Sequence, residues 1–70
     1  MNLNREALIA LRERSGMSKA ELAERAGVDR TLVTRLENGE RRATPDVMKR
    51  LAEALRVSVV ALMGPDEAVA

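Results

Sequence analysis

The chain has no cysteine, no histidine and no aromatic residue among its 70 residues. Without cysteine it can form neither a disulfide nor a thiolate metal site, and nothing in it argues for a place outside the cytoplasm. Without histidine it lacks the commonest general base and the commonest metal ligand. Without Phe, Tyr or Trp it has no platform on which an unpaired base could stack. No apolar run reaches the length of a membrane span, and Met1-Asn2-Leu3-Asn4 lacks the basic-then-apolar order of a signal peptide. Ser15, Ser18 and Ser58 have no histidine to activate them, and Glu21 and Glu24 fall on a helix surface rich in counter-charges. An enzyme is therefore not expected, nor is a cofactor, a metal or a small-molecule ligand. A strong charge is missing too: the net value is +1. Residues 1–45 carry nine Lys/Arg and seven Asp/Glu, and residues 46–70 carry three and four. Any case for a polyanionic partner must rest on where the arginines sit.

What remains is helical. Seventy residues allow one domain with a modest core. Asn4 can cap a first helix that runs to about Ser15, with Ala7, Leu8 and Leu11 as its buried stripe and Ile9 off it. Gly16 ends that helix and Met17 should tuck into the core. Ser18-Lys19-Ala20-Glu21 has the S-x-x-E form of a capping box. Asn38-Gly39 is a stop signal, and Glu40-Arg41-Arg42-Ala43 has no apolar period and reads as a loop. Thr44-Pro45-Asp46 opens a fourth helix, with Thr44 as cap, Pro45 in its first turn and Asp46 suited to the dipole. Val47, Met48, Leu51, Ala52 and Leu55 give it an apolar face that runs to about Arg56. Ser58 can cap a short fifth helix, Val59 to Met63. Gly64-Pro65 should end the ordered part, which makes 1–64 the domain and 65–70 a flexible tail. The fold class expected is all-α, five helices around one core.

The stretch from Lys19 to Leu36 carries the function. Leu22, Ala23 and Ala26 form one buried stripe on a helix that Gly27 can end in a left-handed conformation. Val28 is an apolar plug, and Asp29 caps a following helix that hides Val33 and Leu36. A small alanine where two helices cross, a glycine in the turn and an aliphatic at the bend meet the geometry of a helix-turn-helix. The other face of the second helix holds Arg30, Thr31, Thr34 and Arg35, side-chain types that read base edges and grip phosphates.

The segment from Leu8 to Met63 resembles the DNA-binding domain of the lambdoid phage repressor and Cro family, also called XRE-like. The likeness lies in S-K-A-E-L-A-E-R-A-G-V, in R-T-L-V-T-R-L-E-N-G and in R-L-A-E-A-L-R-V-S-V-V-A-L. The resemblance implies a compact five-helix domain, a transcriptional regulator, most simply a repressor, and binding to double-stranded operator DNA as a two-fold dimer. It implies base reading by Arg30, Thr31 and Arg35, with Thr34 and Asp29 at positions used more variably. Lys19 stands where many members carry glutamine; it can meet a phosphate as a point charge but cannot pair as an amide does. Asn38, Arg41 and Arg42 match the loop that approaches the DNA backbone. Glu40 departs from the usual basic residue, and Ala43 from a common proline. Arg12 and Glu37 match a partly buried ion pair that orients the recognition helix. Leu32 belongs at the edge of the core.

Two further expectations concern partners. Val57, Val59, Val60, Ala61, Leu62 and Met63 are nearly continuous, more apolar surface than one short helix can hide. With Leu55, Leu62 and Val59 facing the core, some of Val57, Val60 and Met63 remain for a second copy, in an interface small enough for the free chain to be monomeric. The rival reading is an antitoxin or adaptor whose helix-turn-helix binds a protein, which predicts acidic or apolar residues where Arg30 and Arg35 stand. A variant that keeps DNA binding and also binds a toxin, or a restriction–modification controller protein, stays open beside it.

Overall fold

Each α-helix begins where the sequence offers a side-chain acceptor to its free backbone N–H groups. The computed structural model describes residues 2–63, which form α1 (Arg5–Arg14), α2 (Lys19–Ala26), α3 (Arg30–Glu37), α4 (Pro45–Leu55) and one turn of 3-10 helix, Val59–Leu62. Asn4 accepts from the N–H of Glu6 and Ala7 at 3.1 and 3.3 Å. Asp29 accepts from Thr31 at 3.0 Å, and Thr44 from Val47 at 3.1 Å with Pro45 beginning the helix. At α2 the box is reciprocal. Ser18 Oγ accepts from the Glu21 N–H at 3.0 Å, while the Glu21 carboxylate accepts from the Ser18 N–H at 2.9 Å. That backbone bond first, then the Ser18 side chain, holds the Glu21 carboxyl below the ordinary carboxylate range.

Leu8, Leu22, Val33, Leu36, Met48, Leu51 and Leu62 are sealed from solvent, and Met17, Ala23, Ala26, Ala52 and Leu55 fill in around them. With no aromatic ring available, leucine and methionine supply the volume. α2 lies against both α3 and α4, and α1 bridges α3 to the 3-10 turn. The α1 stripe is narrower than expected, because Ala7 and Leu11 are only half-buried and Leu8 alone is sealed.

The expected fifth α-helix is a single 3-10 turn, so the count is four α-helices among the described residues. A clasp closes its end. The Asn4 N–H donates to the Leu62 carbonyl at 2.8 Å, and Leu3 forms an isolated antiparallel bridge with Met63. Met63 is drawn into extended backbone and cannot continue the helix. Ser58 precedes the turn but its side chain makes no capping bond, which corrects its expected role. Ala43, expected in an open loop, is buried at 9% exposure and joins the core. The stop at Gly64-Pro65 and the tail at 65–70 lie outside the described residues.

α4 ends on an unusual residue. Arg56 takes the left-handed C-cap conformation at φ 59°, the sole non-glycine with positive φ among the described residues. A Cβ there crowds the backbone, at a cost of roughly 1–2 kcal/mol. Arg56→Gly should therefore raise stability by about 1 kcal/mol, offset in part by greater freedom of the unfolded chain. Urea unfolding should show a higher midpoint with an unchanged slope.

Candidate nucleic-acid interface

Ala23 is buried at 3% exposure where α2 meets α3, and its small side chain lets the two backbones approach. The turn is closed by the Gly27 N–H on the Glu24 carbonyl at 3.3 Å and the Val28 N–H on the Ala23 carbonyl at 3.0 Å. Gly27 holds φ 70°, and a Cβ on it would also press on Arg50 Nη1 at 3.3 Å. Two reasons thus favour glycine at this turn. Val28 packs half-buried against the core, and Leu32 lies at its edge. Val33 and Leu36 are sealed beneath α3, which fixes the opposite face outward.

That outward face carries Arg30, Thr31 and Arg35, all exposed; Thr34 is half-buried. Lys19, the first residue of α2, is half-buried, and Asn38, Arg41 and Arg42 beyond α3 are exposed. None of Lys19, Arg30, Arg35, Arg41 and Arg42 makes a side-chain hydrogen bond or ion pair with another described residue. Eight residues of helix span roughly 12 Å at 1.5 Å per residue, about the width of the B-DNA major groove.

Behind this face, Arg12 on α1 holds Glu37 at the end of α3. Arg12 Nε donates to Glu37 Oε2 at 2.7 Å and Nη2 to Oε1 at 3.3 Å, while Nη1 donates to the Met17 carbonyl at 2.9 Å. The side chains are 12% and 4% exposed. Hydrogen bonding to Glu37 pushes the Arg12 pKa further up against the opposing effect of burial, so the guanidinium stays charged. Among the described residues no buried side-chain N or O atom lacks a partner.

At the C-terminal end, Val60 is 72% exposed, whereas Val57, Val59 and Met63 are half-buried and pack on the core. The apolar surplus seen in the sequence thus shrinks largely to one valine. Sequence reasoning passed over Arg5. Its Nη1 donates to the Asn38 carbonyl at 2.8 Å, across 33 residues of chain, and no local pattern could signal such a contact.

A short helix with an exposed face of arginine and threonine, crossed over a buried alanine and closed by a left-handed glycine, defines a helix-turn-helix unit. The chain belongs to the helix-turn-helix family of the XRE type, whose model matches residues 8–62. It is similar to an uncharacterized HTH-type transcriptional regulator of Mycobacterium tuberculosis, with 41% identity over 51 residues. That stretch is 73% of this chain but 36% of the relative, so the chain spans little more than a third of that protein's length. Among solved structures it is similar to the restriction-modification controller protein C.AhdI from Aeromonas hydrophila. The TM-score is 0.82 and the identity 32%, covering 84% of this chain and 89% of that one. The controller protein C.Esp1396I gives 0.77 and 28%, covering 81% and 74%.

The buried pair makes a stability prediction. Glu37→Ala leaves the Arg12 charge without its carboxylate and should cost about 3–5 kcal/mol. Converting both residues to methionine should recover most of that loss, because no charge then stays buried alone. Chemical denaturation of Arg12→Met, Glu37→Met and the double variant measures the coupling.

Proposed function

We propose that this chain is a sequence-specific transcriptional regulator that binds double-stranded operator DNA in the cytoplasm and acts most simply as a repressor. Residues 1–64 form the binding domain. α3 enters the major groove, with Arg30, Thr31 and Arg35 reading base edges and Thr34 in a lesser role. Lys19, Asn38, Arg41 and Arg42 hold the flanking phosphates. The observation that carries this reading is the pair of exposed arginines, joined to no other described residue, on a helix whose other face is sealed into the core. An antitoxin or adaptor face is expected to carry acidic or apolar residues where Arg30 and Arg35 stand. The likeness to C.AhdI over most of both chains supports a second, narrower reading, a controller of restriction-modification genes.

Two copies are proposed to bind each operator. One recognition helix reads too few base pairs for useful discrimination, and a two-fold pair sets two helices about one DNA turn, roughly 34 Å, apart. Val60 is the residue best placed for the contact, with Val57 and Met63 beside it in sequence as half-buried support. An interface built on so little apolar area is weak, so the free chain is largely monomeric and pairs on DNA.

Selection of bound sites from a random DNA pool tests the whole reading, and a two-fold symmetric motif is expected. On the selected site, Arg30→Ala and Arg35→Ala should each lose roughly 1–3 kcal/mol of specific binding, the scale of one bidentate base contact. If both keep the wild-type ratio of specific to non-specific affinity, α3 does not read bases. Mass measurement by sedimentation should find two copies of the wild type on the site and weaker pairing for Val60→Glu. One copy on the best site, bound equally well by Val60→Glu, would rule the dimer out.

A further inference from the structure

We propose that Arg5, on the first turn of α1, is a further DNA-backbone-binding residue, gripping a phosphate beside the loop that follows the recognition helix. The inference rests on the DNA-binding reading above and extends it to a residue outside the helix-turn-helix unit. Three observations carry it. First, Arg5 is exposed, and none of the described carboxylates forms an ion pair with it. Second, its guanidinium is directed at the end of α3. Nη1 donates to the Asn38 carbonyl at 2.8 Å, the last residue before the turn that leaves α3. Third, the guanidinium lies across Gly39. A Cβ built there would sit 3.1 Å from Arg5 Cζ and collide with Nη1, and Gly39 also holds φ 76°. Glycine at this position leaves the room that Arg5 occupies.

A cation on the final carbonyls of α3 is favourable to the helix dipole, and that accounts for one donor. A guanidinium carries five N–H groups in a planar fork suited to phosphate oxygens. The Arg5 guanidinium lies beside Asn38, which precedes Arg41 and Arg42 by three and four residues along the chain, at the end of a helix about as long as the groove is wide. Asn38 thus links the two parts of the grip, with its backbone carbonyl orienting Arg5 and its side chain facing solvent.

The test compares wild type and Arg5→Gln on a random-sequence duplex and on the selected site across a series of salt concentrations. Melting curves verify that the variant is folded. Loss of one phosphate contact should reduce the slope of log affinity against log salt by about 0.9 on both duplexes. Affinity should fall several-fold on both alike, leaving the specificity ratio unchanged. A second readout uses the unaltered chain: DNA should shield Arg5 from modification by phenylglyoxal, read by peptide mass. An unchanged slope for Arg5→Gln overturns the proposal even if affinity drops, since a purely structural role would weaken binding without removing a charge contact. Equal modification of Arg5 with and without DNA also overturns it. If those results appear while Arg30→Ala still loses specificity, only the role of Arg5 falls; if the wild type binds neither duplex, the DNA-binding reading falls with it.

Discussion

Under the proposed function everything depends on holding an eight-residue helix still while its arginine face stays exposed. A helix of that length is marginal in water, where nucleation is costly and few residues return a hydrogen bond. α3 contributes only Val33 and Leu36 fully to the core, so its own apolar burial cannot fix both its tilt and its roll. The Arg12–Glu37 pair supplies the missing constraint. It is charge-assisted, two-pronged and sheltered, and it ties the last turn of α3 to α1 and, through Met17, to the approach of α2. Such a pair contributes less to net stability than its geometry suggests, because both charges left water. Its value lies in direction: one rotation of α3 satisfies it.

Other contacts repeat that logic at the ends of the unit. Asp29 caps the start of α3 and the Gly27 turn sets its entry angle. Arg5 rests on the Asn38 carbonyl at its exit. Arg50 lies over Gly27 and is itself steadied by Asp46 at 2.9 Å, one helical turn away on an exposed surface where the ion pair contributes little energy. An arginine from a neighbouring helix thus covers each glycine that flanks α3. The α4 start and the 3-10 turn act at greater distance, closing the core under α2 and α1.

The parts of the fold that were legible in the sequence are those set by neighbours along the chain. Asn4, Ser18, Asp29 and Thr44 could be named as caps because a cap acts within three residues of itself. The outward position of Arg30, Thr31 and Arg35 followed from the burial of Val33 and Leu36 by helical spacing alone. What escaped was long-range. The clasp of Leu3 and Asn4 on Leu62 and Met63 joins the two ends of the described chain and closes the 3-10 turn that stands where a helix was expected. Ala43 looked like loop because its burial comes from packing, not from any period around it. Arg5 and Asn38 are 33 residues apart, and nothing local marks either for the other. The Arg12–Glu37 pairing is equally long-range; it was reached through a family likeness, not through spacing.

The near-neutral surface bears on how such a protein would work. With a net charge of +1, the long-range pull toward DNA is weak, and affinity must come from a few arginines set at chosen points. Glu40 beside Arg41 and Arg42, and Asp29 beside Arg30, trim the positive potential at each end of α3. Under the proposed function this lowers binding to arbitrary sequence more than binding to the cognate site, because base contacts do not depend on the wider field. A genome offers an enormous excess of non-specific sites, so low background binding raises effective specificity as surely as added base contacts do. The weakness of the proposed Val60 contact acts in the same direction. A single copy would hold DNA poorly anywhere, and useful affinity would appear only where two half-sites at the right spacing seat two copies together.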